Sequence, residues 1–167
     1  MLAGNPLLEP ECGRRSNCAA PGRVVIDTNV WLDLFVFRDP GVGELGQALR
    51  AGSLLAVRSQ RTDAELLEVL TRPQFTQRLA AAGSPALLHR WRALAHCVEE
   101  RVSAPWTCSD PEDQKFLDLA CSAAAQALFT KDHALLRLAR AARRAGLQII
   151  KPGACLSWHA CGAPQGG

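Results

Sequence analysis

Apolar positions along the chain fall into short β-branched runs separated by stretches of helical period. Residues 23–26 (RVVI) form such a run and stop at Asp27, the pattern of a buried strand. From Asn29 the apolar residues of NVWLDLFVF recur on one helical face until Asp39-Pro40-Gly41 breaks the period. Residues 42–50 predict a second helix, stopped by Gly52, and 54–57 a second strand. Residues 62–70 predict a helix opened by a Thr62-x-x-Glu65 capping box and closed before Pro73. Two further helices are predicted over 74–82 and 84–97, the second capped by Ser84 with Pro85 in its first turn. Residues 98–103 read as a strand. Ser109-Asp110-Pro111 opens a helix that runs to about Ala124, and 127–130 (ALFT) is a strand. Asp132 opens a helix ended by Gly146, and 148–151 (QIIK) is the last strand, closed by Pro152.

Strands alternating with helices argue for an α/β fold with a parallel sheet, whose functional groups gather beyond the carboxyl ends of the strands. Residues 1–22 show no periodicity and read as a poorly ordered tail. The folded unit is expected over 23–153, and a Gly/Pro-containing tail over 154–167. No repeat and no linker divides the chain.

Composition narrows the classes without choosing among them. The 167 residues suffice for one domain with a real core, and 48% hydrophobic with 21% charged residues is ordinary for a globular protein. No apolar run approaches the ~20 residues needed to span a bilayer. The N-terminal residues lack the charged start and apolar stretch of a secretory signal, so a cytoplasmic protein is expected. The net charge of +3 is compatible with a nucleic-acid partner but does not require one. Seven cysteines with no CxxC spacing argue against a disulfide framework or a zinc knuckle. Cys97 and Cys121 sit in helical patterns and are expected as small core residues. Cys155, His159 and Cys161 could chelate a metal, but their spacing is not a standard zinc pattern, and free thiols are the simpler reading.

Four acids stand where a site is expected. Asp27 directly follows a strand, and Asp132 follows the strand 127–130 by one residue. Glu65 and Asp113 fall in predicted helix first turns, which in α/β folds commonly face the same edge. Converging carboxylates repel one another, and a hard cation such as Mg²⁺ or Mn²⁺ removes that cost while keeping waters for chemistry. Each acid also has a plainer use. Asp27 and Asp132 suit helix N-caps, Glu65 completes a capping box, and Asp113 complements a helix dipole. Asp110 is a better cap than ligand, and Glu112, Asp118, Asp33 and Glu68 read as solvated faces. Residue by residue, both readings stay open.

Taken together, the segments VVIDTNVWLD (24–33), DAELLEVLTRPQF (63–75), SDPEDQKFLDLA (109–120), ALFTKDHALL (127–136) and QIIKPGACL (148–156) resemble the PIN-domain family, in particular its VapC-like toxin branch from toxin–antitoxin pairs. The resemblance covers about residues 23–156. It implies a three-layer α/β/α domain with a parallel sheet of four or five strands. It implies a Mg²⁺ or Mn²⁺ site built from Asp27, Glu65, Asp113 and Asp132. Asn29 would hold that site by hydrogen bonds, and Thr130 would orient water or phosphate beside the ion. The activity implied is metal-dependent endoribonuclease cleavage, with an antitoxin protein as partner and a homodimer as assembly. The leader before residue 23 and the Cys/His-bearing end depart from that branch.

RNA would need cations near the acids. Arg58, Arg61 and Lys131 are near them in sequence, and Arg137, Arg140, Arg143 and Arg144 form a stripe on the last predicted helix. Trp91, Trp106 and Trp158 could stack on bases, although core roles suit them too. Trp31, Leu34, Phe35 and Phe37 could line an apolar groove for an antitoxin, or pack in the core. Competing readings are a PIN nuclease of RNA processing without an antitoxin, and a catalytically silent binding module. A phosphatase-type enzyme would want a D-x-D motif, which Asp27-Thr28-Asn29 lacks.

Overall fold

The computed structural model describes residues 21–78 and 83–160. Five strands, β1 (Gly22–Ile26), β2 (Leu54–Arg58), β3 (Ala95–Cys97), β4 (Ala127–Phe129) and β5 (Gln148–Ile150), form one all-parallel sheet in the order β3-β2-β1-β4-β5. Among the described residues the helices are α1 (Thr28–Leu32), α2 (Gly43–Arg50), α3 (Gln60–Thr71), α4 (Pro73–Arg78), α5 (Gly83–Leu94), α6 (Gln114–Ser122), α7 (His133–Leu136), α8 (Ala139–Arg144) and α9 (Cys155–Ala160).

The two-residue side-chain period of a strand divides the core. Val24 and Ile26 of β1 point to one face with Ala56 and Phe129, where Val30 and Trp31 of α1, Leu45 of α2, Leu66 of α3 and Trp91 of α5 cover them. Val25 points to the other face with Val57, Leu128 and Ile149, under Phe116 and Leu117 of α6, Leu135 of α7 and Ala142 of α8. The result is the expected three-layer α/β/α architecture. Strands buried on both faces read as continuous apolar runs, which is why RVVI and ALFT stand out in sequence. Burying each large aliphatic or aromatic side chain stabilises the fold by about 1.5–3 kcal/mol.

Strand order places the site. β1 is central, with β2 on one side and β4 on the other. The chain runs outward from β1 through β2 to β3, then returns to build β4 and β5 on the opposite side. The reversal makes a topological switch point at the carboxyl ends of β1 and β4, where open α/β sheets present a crevice.

Several sequence expectations need correction. The helix expected from Thr62 begins at Gln60, and its capping box pairs Ser59 with Thr62 rather than Thr62 with Glu65. The Ser59 hydroxyl accepts from the Thr62 amide at 3.3 Å, while the Ser59 amide donates to Thr62 Oγ1 at 2.9 Å. A threonine in the place usual for Glu or Gln hides the box. Glu65 therefore lies in the second turn, free of capping. The helix expected over 84–97 begins at Gly83, so Ser84 is inside it, and it ends at Leu94. Ala95–Cys97 instead pairs in parallel with β2, so sheet pairing overrides helical period there. The strand expected over 98–103 is absent, and Cys97 is exposed rather than a core residue. The helix expected from Asp132 to Gly146 is interrupted at Arg137 and Leu138. Residues 155–160 form α9 rather than a tail: Cys155 is buried, and Trp158 meets the Phe129 ring edge-on at 5.8 Å. Of the N-terminal tail expected over 1–22, Gly22 instead opens β1; residues 1–20 and 161–167 lie outside the described residues, as does Cys161 of the possible chelating group. Among the described residues, no helix is long and apolar enough to cross a membrane.

Candidate carboxylate site

Asp27 ends β1 and caps α1, and it is 2% exposed. One carboxylate oxygen accepts from the Asn29 amide at 3.1 Å. The other accepts from the Thr130 hydroxyl at 2.7 Å. Thr130 follows β4 directly and is fully buried. Its hydroxyl also accepts from the Asp132 amide at 2.9 Å. A single hydroxyl therefore ties the end of β1 to the turn that carries Asp132. Asn29 contributes its backbone amide, while the residue itself is exposed. Asp132 caps α7 by accepting from the Ala134 amide.

Asp113 reaches the same place from the other face. Asp110 caps a 3₁₀ turn at Pro111–Asp113, and α6 continues from it. Asp113 stands at the N-cap of α6 but makes no side-chain cap hydrogen bond, so its carboxylate is not consumed by the helix. Glu65 is half-buried on α3, and its Oε2 is buried with no hydrogen-bond donor.

Electrostatics show that these acids share one neighbourhood. Burial pushes the Asp27 carboxyl up to about 6, partly opposed by the Thr130 and Asn29 hydrogen bonds, with Glu65 and Asp132 adding repulsion. Asp113 is pushed up to about 7 by burial first, then by the charges of Asp27, Asp132, Asp110 and Glu65. Asp27 and Asp113 thus each lie within electrostatic reach of the other three acids singled out in the sequence. Among the described residues, however, no three such side chains converge closely enough to enclose a metal ion as they stand.

The donor set nonetheless suits a hard divalent cation. It offers carboxylate oxygens, one of them buried and accepting no hydrogen bond although Lys115 stands 3.3 Å away, and it carries mutual repulsion that a cation would relieve. Mg²⁺ binds through few carboxylates and retains waters, so a closed protein cage is not required.

Lys115 was not singled out in the sequence. It is 6% exposed, and its Nζ lies 3.3 Å from Glu65 Oε2 and 3.6 Å from Glu112 Oε2. The available signal was a cation in a helix first turn, where the dipole disfavours positive charge. Two acids read as solvated faces are also engaged. Asp118 accepts from the Ala104 amide and Gln114 and pairs with Arg61, while Asp33 pairs with Lys131 at 2.7 Å.

The cations expected near phosphate are mostly committed to protein partners. Arg58 pairs with Asp63, Arg61 with Glu100 and Asp118, and Lys131 with Asp33 and Asp39. Arg137, Arg140, Arg143 and Arg144 are exposed. In the chain they follow Asp132 towards β5, with Arg137 the first of them. Trp91 is buried, and Trp31 and Phe35 stack at 5.4 Å in the core, so of the expected groove residues only Phe37 is exposed. A cleft of about 430 Å³, with Ser59, Arg61, Cys97 and Glu100 among its walls, lies beside the N-terminus of α3.

Comparison with protein families matches residues 23–134, more than half of the chain, to the family described as "PIN domain". Comparison with curated proteins yields no match.

Proposed function

Because the chain belongs to the PIN domain family, whose members are generally nucleases, we propose that it is a Mg²⁺- or Mn²⁺-dependent endoribonuclease acting as the toxin of a toxin–antitoxin pair. Asp27, Glu65, Asp113 and Asp132 are the residues that would hold the ion. The observation that supports this most is the set of carboxylates at the switch point, two of them pushed up to about 6 and 7 by burial and one another. An acid cluster so destabilised in its charged form has a physical use for a cation.

When bound, a divalent ion supplies Lewis-acid polarisation of the phosphate and a water acidic enough to attack at neutral pH. The chain's own residues prepare for that chemistry. Thr130 and the Asn29 amide aim the two oxygens of Asp27, and Thr130 also holds the backbone at Asp132. Asp113 makes no side-chain cap bond, so its carboxylate is not committed to the helix. Arg137, exposed and five residues after Asp132, is a candidate contact for an RNA backbone. The toxin assignment rests on the resemblance of the segments over residues 23–156 alone.

The deciding experiment is cleavage of a mixed single-stranded RNA pool by the purified chain with Mg²⁺, Mn²⁺ or EDTA. Cleavage that requires metal and is lost in Asp27→Asn is expected. Absence of cleavage in every metal would overturn the nuclease reading in favour of a silent binding module. Size-exclusion chromatography tests the homodimer, and growth arrest on expression tests toxicity.

A further inference from the structure

Lys115 sits where elementary physical chemistry disfavours it. Lysine is almost never fully buried unless paired, yet this residue is 6% exposed. It is the second residue of α6, at the helix end where partial positive charge already accumulates. Three contacts offset those costs: Glu65 Oε2 at 3.3 Å, the exposed Glu112 at 3.6 Å, and the Phe116 ring, whose centroid is 5.6 Å from Nζ. Of the two carboxylates, only that of Glu65 is substantially shielded from water, at 26% against 89% side-chain exposure.

Glu65 repels Asp27 and Asp113, as Asp132 does, and its carboxylate also pairs with the Lys115 ammonium at 3.3 Å. The Glu65 oxygen that Lys115 faces is buried and accepts no hydrogen bond, so a divalent ion recruiting this carboxylate meets the ammonium there.

We propose that Lys115 is the built-in counter-charge of the carboxylate site: its ammonium holds Glu65 while no divalent ion is bound and competes with that ion for it. This inference rests on the metal-site reading above. Lys115 is thereby a positioning residue, acting through Glu65. It keeps the metal-free chain folded and sets how much free ion is needed to load the site.

The test is calorimetric titration of the full chain with Mn²⁺ at one fixed pH, beside thermal melts in EDTA and in Mn²⁺. Lys115→Gln is expected to bind Mn²⁺ about tenfold more tightly, the scale of effect that groups contacting metal ligands usually have. It is also expected to melt lower than wild type in EDTA and to gain more from Mn²⁺. In a Glu65→Gln background, Lys115→Gln should change the affinity no further. Equal or weaker Mn²⁺ binding by a folded Lys115→Gln overturns the proposal, as does a gain that persists with Glu65→Gln. If Lys115→Gln does not fold, Lys115→Arg decides: it keeps the charge and should bind Mn²⁺ no more tightly than wild type, and tighter binding overturns the proposal. Failure of wild type itself to bind Mn²⁺ would instead overturn the metal-site reading, and the proposal with it.

Discussion

The Thr130 hydroxyl donates to Asp27 Oδ2 at 2.7 Å across the boundary between β4 and β1, and Thr130 Oγ1 itself accepts from the Asp132 amide at 2.9 Å. Two acids 105 residues apart in the chain are thus coupled through one buried oxygen. Thr130→Val keeps the shape but removes both bonds. It is expected to destabilise the protein by about 1–3 kcal/mol in urea unfolding, the cost of leaving buried polar groups unpaired. Mn²⁺ affinity should fall roughly tenfold, and Thr130→Ser should restore most of both. A Thr130→Val protein with wild-type stability and affinity would show that this hydroxyl is incidental.

Asp27→Asn removes a carboxylate that burial already disfavours. The amide can still accept from the Asn29 backbone, and the Thr130 hydroxyl can turn to accept from it. Little or no loss of thermal stability is therefore expected in EDTA. RNA cleavage should fall on the order of a hundredfold or more, because a ligand of the catalytic ion would be lost. Melting curves beside gel-based cleavage check both halves, and an active Asp27→Asn would remove this residue from the site.

Stability of the metal-free protein should fall as pH rises. Asp27 and Asp113 titrate near 6 and 7 in the fold but at the ordinary carboxylate value of 3.8 in the unfolded chain. Between those limits the unfolded state binds fewer protons than the native state, so unfolding becomes easier with increasing pH until both groups have ionised in the fold. Asp113→Asn should flatten this slope and raise the midpoint near neutral pH by a few degrees, roughly what one to two kcal/mol does in a domain this size. Mn²⁺ should reverse the trend and release protons on binding. A melting temperature in EDTA that rises from pH 5 to 7.5 for wild type relative to Asp113→Asn would contradict the coupling.

Ser59 carries the cap that sets where α3 starts, and its hydroxyl also donates to Glu100. Ser59→Ala is expected to cost about 1 kcal/mol, the usual value of an N-cap. Because Glu65 lies in the second turn of the same helix, the substitution should also weaken Mn²⁺ binding, while Ser59→Thr should not. Denaturant midpoints and titration calorimetry on both variants test this.

Much of the fold was legible in the chain. Val24–Ile26, the 54–57 run, Ala127–Phe129 and Ile149–Ile150 lie in strands, and strands covered on both sheet faces favour such apolar runs. Asp27 and Asp132 were assigned by their positions next to strands, and both also cap helices. Their plain and functional readings were not exclusive. Less legible were β3, hidden inside a helical period until β2 paired with it, and the start of α3, shifted by a capping box with threonine in the unusual place. Both depend on partners that local pattern does not contain.

The chain by itself determined the layers, the parallel sheet and the acids worth watching, because periodicity and strand ends are local properties. Only the tertiary structure decided that β1 and β4 are neighbours, which brings Asp27, Thr130 and Asp132 together. It alone decided that Lys115 lies under Glu65, and that Arg58, Arg61 and Lys131 are already paired with acids. Charge–charge energies depend on distance and burial rather than on sequence separation, so they could be read only once the chain was folded.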